Sequence, residues 1–217
     1  MKKIPFKSLI NEHAGREFIV CCPGKNVSEY MDQIKHLIAE RQLVVIGINK
    51  IFDLFELDYN IFTNNTKYES YGSSTQGTLM LGDGVEPKMI KKYAPSQYVC
   101  IEYHDAPNNK IKYDSKTGQI YGYFRTAGNL SIMLSHLMGA TKVYMAGMSG
   151  FTYKFDGDVH YYKAEIKKDK NSKKTWKNKY DKPIYTSLNR LKKYGINFSI
   201  ITPTIYSKHY DSSVLGV

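Results

Sequence analysis

Several groups of residues in this 217-residue sequence have the types and spacing to do chemistry. The turn Pro23-Gly24-Lys25-Asn26 separates an apolar run ending at Cys21-Cys22 from an amphipathic pattern with apolar Val27, Tyr30, Met31, Ile34, Leu37 and Ile38. Asn26 with Glu29 three residues on has the form of a capping box, Asn accepting from an early helix amide while Glu reaches back to the cap amide. The free amides and dipole of such a helix start favour a phosphate, and Gly24 lets the backbone approach one. Without a ligand, the same residues make an ordinary turn between a core strand and its helix. Asp156-Gly157-Asp158 could hold Mg²⁺ or Mn²⁺ for a nucleotide-diphosphate sugar. The pair lies several residues past the nearest predicted strand, however, and Asp-Gly is a common turn dipeptide, so no metal is expected. His160, in Asp158-Val159-His160-Tyr161-Tyr162, is an imidazole that titrates near neutrality, or an exposed loop histidine. His136 lies inside an apolar helix pattern and reads as a packed core residue.

The formal charge of +11 points to an anionic partner: nucleic acid, an acidic membrane face or a phosphorylated small molecule. Ten lysines fall between Lys154 and Lys182, with Trp176 and tyrosines interleaved. Such a segment invites comparison with a nucleic-acid-binding stretch, and a solvated flexible loop is the competing interpretation. The three cysteines, Cys21, Cys22 and Cys100, sit in apolar, strand-like settings and read as buried thiols of a reducing compartment. No apolar run approaches a membrane span, and residues 1–7 lack the long apolar segment of a signal peptide, so a cytoplasmic protein is expected.

Strands and helices alternate along the chain. Residues 1–15 suggest no regular structure. Residues 42–48 and 142–147 are nearly continuous apolar runs, the signature of strands covered on both faces. Residues 58–62 form a further strand running into the polar turn or helix cap Thr63-Asn64-Asn65-Thr66, and 79–81 and 98–102 are weaker strands separated by a helix over 87–93. A hairpin excursion occupies 103–124. Arg125-Thr126-Ala127-Gly128-Asn129 leads into an apolar helix that stops at Gly139, Pro183 opens a helix that ends at Gly195, and 197–201 is the last strand. The consistent architecture is α/β and Rossmann-like: a mainly parallel sheet with helices on both faces, in a single domain spanning 1–217, with a basic lid segment at about 149–182. Polar groups gather just past the carboxyl ends of the strands, where open α/β sheets keep their ligands.

Four stretches together resemble the small bacterial sialyltransferases that use CMP-sialic acid to build lipooligosaccharide caps. Gly24, Lys25 and Asn26 match that family's first nucleotide loop, and Asn49 in Gly47-Ile48-Asn49-Lys50 its Asn after the second strand. Ile61-Phe62-Thr63-Asn64 resembles its strand ending in a polar donor-site residue, and Arg125-Thr126-Ala127-Gly128 with Met145-Ala146-Gly147 its central turn, helix and strand. The likeness spans about residues 17–205 and is shared by domains of polysaccharide clusters and by a pterin-diphosphokinase-like group. It implies a metal-independent glycosyltransferase that moves an acidic sugar from a CMP-activated donor to a glycan or glycolipid acceptor. Gly24, Lys25, Asn26, Asn49, Asn64, Arg125, Thr126 and Gly128 would then bind the donor, and His160 would be the general base. The family's hydroxyl residue before the turn glycine is Ala127 here, an acidic residue after the Ala-Gly strand is Ser149, and the first of two tyrosines that assist the leaving phosphate falls near Phe151. Tyr153, Tyr161 or Tyr162 would have to take that last role. These departures leave the donor sugar open and keep two rivals in view: a non-catalytic nucleotide- or nucleic-acid-binding module, and an ATP-dependent pterin-type diphosphokinase, in which Asp156 and Asp158 would hold Mg²⁺. Peripheral contact with an acidic membrane and homo-oligomer formation are compatible with the charge.

Overall fold

In a computed structural model, which describes residues 2–93, 95–106, 110–154, 160–162 and 173–216, the chain is built on one eight-stranded sheet. Its strands are β1 (Lys2–Pro5), β2 (Glu17–Cys21), β3 (Val44–Ile48), β4 (Tyr59–Phe62), β5 (Thr78–Gly82), β6 (Gln97–Ile101), β10 (Lys142–Ala146) and β11 (Phe198–Ile200). They lie in the order β1-β6-β5-β4-β3-β2-β10-β11, every pairing parallel. The central strands are largely apolar because both faces are covered. Phe18, Val20, Ile46 and Met145 pack on one face with α4 (Ala127–Leu137) and α6 (Lys182–Lys193). Their strand neighbours Ile19, Cys21, Val45 and Tyr144 point the other way, to α1 (Met31–Arg41), α2 (Asn65–Tyr71) and α3 (Pro87–Tyr93). The alternation makes two cores from one sheet, each fully buried Ile, Val or Phe contributing about 1.5–3 kcal/mol.

Strand order reverses at β2, which has β3 on one side and β10 on the other. A doubly wound sheet opens a crevice at the carboxyl ends of its strands at such a point.

Four expectations are corrected. Residues 2–5, part of the stretch whose sequence suggests no regular structure, form an edge strand on β6 through long-range parallel pairing that a charged tetrapeptide does not advertise. The capping box does not form: Asn26 has helical backbone angles and no side-chain cap bond, a 3-10 turn over Val27–Tyr30 intervenes, and α1 begins at Met31. Pro183 stands at the second position of α6, but it does not open that helix from a loop. It follows α5 (Lys173–Trp176) and a π-helical turn at Lys177–Asp181 that run directly into α6. A wide π turn gives room for a proline ring that would clash with a carbonyl four residues back and lacks the N–H to bond it. His136 is only half-buried, its ring edge-on to Tyr194. The excursion over 103–124 does contain an antiparallel pair, β8 (Lys112–Tyr113) with β9 (Ile120–Tyr121), and β9 also pairs in parallel with β7 (Tyr103–His104). Of the expected lid, 155–159 and 163–172 lie outside the described residues, Asp156 and Asp158 among them.

Candidate functional site

The turns after β2 and β10 meet first. Gly24 N–H donates to the Gly147 carbonyl at 3.0 Å, and Gly147 N–H to Thr202 Oγ1 at 2.9 Å. Beside this contact a cavity of about 290 Å³ opens at the carboxyl rim, close to the lower bound of small-molecule pockets. Gly24, Asn49, Asn64, Arg125, Thr126, Gly128 and His160, named from sequence, all line it. The other five do not: Lys25, Asn26, Tyr153, Tyr161 and Tyr162 lie elsewhere.

Each wall has a local cause. Asn49 sits in the left-handed region at φ 54, which asparagine tolerates best after glycine. Its carbonyl accepts from Nδ2 of the buried Asn60 at 3.0 Å, and its own Oδ1 is buried with no hydrogen-bond partner among the described residues. Asn64 caps α2, Oδ1 accepting from Lys67 N–H at 3.0 Å, which leaves Nδ2 for a ligand. Thr126 caps α4 by accepting from Asn129 N–H, and its hydroxyl donates to Asn129 Oδ1 at 2.9 Å. The Thr126 proton is therefore committed to the fold. What this corner offers an anion is the positive end of an eleven-residue helix, whose first residues Ala127 and Gly128 line the cavity.

His160 enters from the far side and forms an isolated antiparallel bridge with Gly24. Its ring stacks on Tyr162 with centroids 5.2 Å apart. Burial, reinforced by the Lys67 ammonium and opposed by the Pro23 carbonyl, lowers the imidazole to about 4, so it is neutral near pH 7 and able to accept a proton. Lys67 lines the cavity and rests over the rings of Tyr71 and Tyr162. Cys22 also lines it, but burial holds its thiol up to about 12, which excludes a thiolate nucleophile near neutrality.

Three of the residues that miss the cavity, Asn26, Tyr161 and Tyr162, brace its walls. Asn26 is buried and donates from Nδ2 to the Pro203 carbonyl, tying the Gly24 turn to the end of β11. Tyr161 donates to the Lys50 carbonyl at 2.9 Å, and burial raises both Tyr161 and Tyr162 far above the ordinary phenol value. Tyr153 lies half-buried under the Lys154 ammonium.

Sequence reasoning missed Lys67, Tyr206 and Asp181. Lys67 could have been found as the third residue of the helix that Asn64 caps. Asp181 is buried within the lysine-rich stretch and accepts from Phe151 N–H, Thr152 N–H, Thr152 Oγ1 and the Tyr206 hydroxyl, at 2.7 to 3.1 Å. It thereby fixes two cavity-lining residues, Phe151 and Tyr206. Phe151 stacks on Tyr180 at 4.7 Å and leans on Trp176, so part of the basic segment is a packed aromatic cluster.

Among the described residues no three His, Cys, Asp or Glu side chains are grouped to hold a metal, and no helix is long and apolar enough to cross a membrane. No family model matches the chain, and no curated protein does. Among solved structures, the chain is similar to the MAf glycosyltransferase from Magnetospirillum magneticum AMB-1, at 14% identity and a TM-score of 0.38. The match covers 69% of this chain and 26% of that one, so this chain spans about a quarter of its length.

Proposed function

We propose that this chain is a glycosyltransferase of the sialyltransferase type, moving an acidic sugar from a CMP-activated donor to a glycan acceptor without a metal. Residues 1–217 would act as one nucleotide-sugar-binding domain. The observation that carries the proposal is the shared cavity: a neutral His160 seated on Gly24 lines the same space as Asn49, Asn64, Lys67 and the start of α4. In the proposed reaction the acceptor oxygen attacks the anomeric carbon and its proton passes to His160. The bond from that carbon to the phosphate oxygen breaks, and CMP leaves with the electron pair. Lys67 and the α4 N-terminus would stabilise the charge that develops on the departing phosphate, the part first sought in Tyr153, Tyr161 and Tyr162. Asn49 and Asn64 would hold the nucleotide, while Asn26 keeps the turn in place. Exposed Lys173, Lys174, Lys177 and Lys179 would meet an acidic membrane or glycan surface.

A thermal-shift comparison of CMP, UDP, GDP and ATP, with Mg²⁺ and in EDTA, tests the proposal. Selective stabilisation by CMP in EDTA is the expected result. Stabilisation by ATP only with Mg²⁺ would overturn it in favour of diphosphate transfer.

A further inference from the structure

We infer that Arg125 and Arg190, gathered on the ring of Tyr123, bind an oxyanion, carboxylate or phosphate, of the acceptor, which makes that acceptor an acidic saccharide; this rests on the proposed transfer reaction.

The sequence has four arginines. Arg16 donates to the Gln42 carbonyl, and Arg41 pairs with Glu17 at 3.3 Å. Arg125 and Arg190 have no such oxygen among the described residues. Both instead converge on one aromatic ring, the guanidinium carbon of Arg125 lying 5.1 Å and that of Arg190 4.8 Å from the Tyr123 centroid. Arg190 is half-buried, and its Nη1 atom is buried without a hydrogen-bond partner among the described residues. Two guanidinium groups held at one ring, with no carboxylate beside either among the described residues, concentrate positive charge there, and a buried charged donor atom with no acceptor is costly. An oxyanion offsets both effects, and the planar guanidinium fork matches carboxylate and phosphate geometry.

Location separates this site from the donor phosphate. Arg125 lines the cavity, as do Ile184 and Tyr206, whereas Arg190, six residues after Ile184 on α6, lies outside the lining. A ligand that spans both therefore runs from the cavity outward over Tyr123, the path of a second substrate entering after the nucleotide sugar is in place. Lys67 and the start of α4 remain for the phosphate within.

The test uses the full chain saturated with CMP and three probes: a disaccharide ending in glucuronate, its methyl ester, and a disaccharide ending in a sugar phosphate. Calorimetry is expected to show an anionic probe binding at least tenfold more tightly than the ester, and the stronger of the two anions identifies the source of the oxyanion. Arg190→Gln should bring the ratio to within about twofold with CMP affinity unchanged. Arg190→Lys, which keeps the charge and the stem, should keep part of the preference and guards against a folding defect. Affinities for both anionic probes no greater than for the ester, in a chain that binds CMP, would overturn this inference alone, as would a preference that survives Arg190→Gln. A preference for the acid in a chain that does not bind CMP would uphold the anion site and overturn the transfer proposal.

Discussion

Gly24 and Gly147 are in backbone contact across the switch point, amide to carbonyl at 3.0 Å, with no room for a side chain on either. A Cβ on Gly24 would fall 2.0 Å from the Gly147 oxygen, and one on Gly147, at φ +70, would fall 2.0 Å from the Cys22 oxygen. The opposing atoms are backbone, so relief requires the two turns to part, and the cavity floor parts with them.

Gly147→Ala is accordingly expected to destabilise the chain by about 2–4 kcal/mol, combining left-handed strain with overpacking, and to remove stabilisation by CMP. Gly195→Ala is the control: its φ is +99 but nothing lies within 4 Å of the added Cβ, so strain alone of about 1 kcal/mol is expected. Urea unfolding of the two variants measures the difference. Equal losses would show that the turn contact contributes nothing beyond backbone strain.

His160→Ala should lower turnover by about 10²–10⁴ while changing CMP affinity less than about threefold. The pH dependence has a definite sign. In the free protein the imidazole is neutral above about pH 4, so kcat/KM should hold from pH 7 downward and fall only as protonation sets in. A bound donor phosphate favours the imidazolium and raises that value, so kcat should begin to fall at a higher pH than kcat/KM. Near-normal turnover in His160→Ala would remove the residue from the mechanism.

Lys67 couples the two halves of the site. Its ammonium is one reason the His160 imidazole is held low, and burial lowers its own value. Lys67→Met should therefore raise the His160 value and weaken CMP binding about tenfold, the scale of one hydrogen bond to a charged group. NMR titration of the imidazole, together with calorimetry, checks both. An unchanged histidine titration would mean that the ammonium does not reach the ring in solution.

The parts of this site that were legible in the sequence share a physical cause. A strand covered on both faces must be apolar, so β3 and β10 stand out as runs, and the first polar residues past their ends, Asn49 and Ser149, mark the rim. Asn64 was visible because helix caps select a few residue types, whereas Thr126, which caps α4 in the same way, was named only through the family resemblance. What stayed hidden depends on contacts distant in sequence. Asn26 has the composition of a cap, but its amide is taken by Pro203, 177 residues away. Asp181 was masked by the lysines around it, since local charge does not reveal that a π turn directs one carboxylate inward onto four donors. The pairing of Arg125 with Arg190 is likewise made only by the packing of α6 beside the rim.

The last titratable group with a defined consequence is His209. It is buried, stacked on Phe198 at 5.4 Å and hydrogen-bonded to Asn189 Oδ1 at 3.2 Å. Burial, with Lys192 and Lys208 adding to it, holds the imidazole at about 4, against about 6.5 in an unfolded chain. Between those values the unfolded state binds more protons than the folded one. The stability contributed by the neutral ring is thus complete above about pH 6.5, declines as pH falls toward 4, and is lost below, amounting to on the order of 3 kcal/mol. His160 titrates in the same window, so the comparison is made in its absence. Urea unfolding of His160→Gln and of the His160→Gln/His209→Gln double variant at pH 7.5, 5.5 and 4.5 should give a shallower acid slope for the double variant, even though its stability at pH 7.5 is lower through lost stacking. Parallel slopes would mean that the buried ring is protonated without cost, and that the tail after β11 is not held by a neutral histidine.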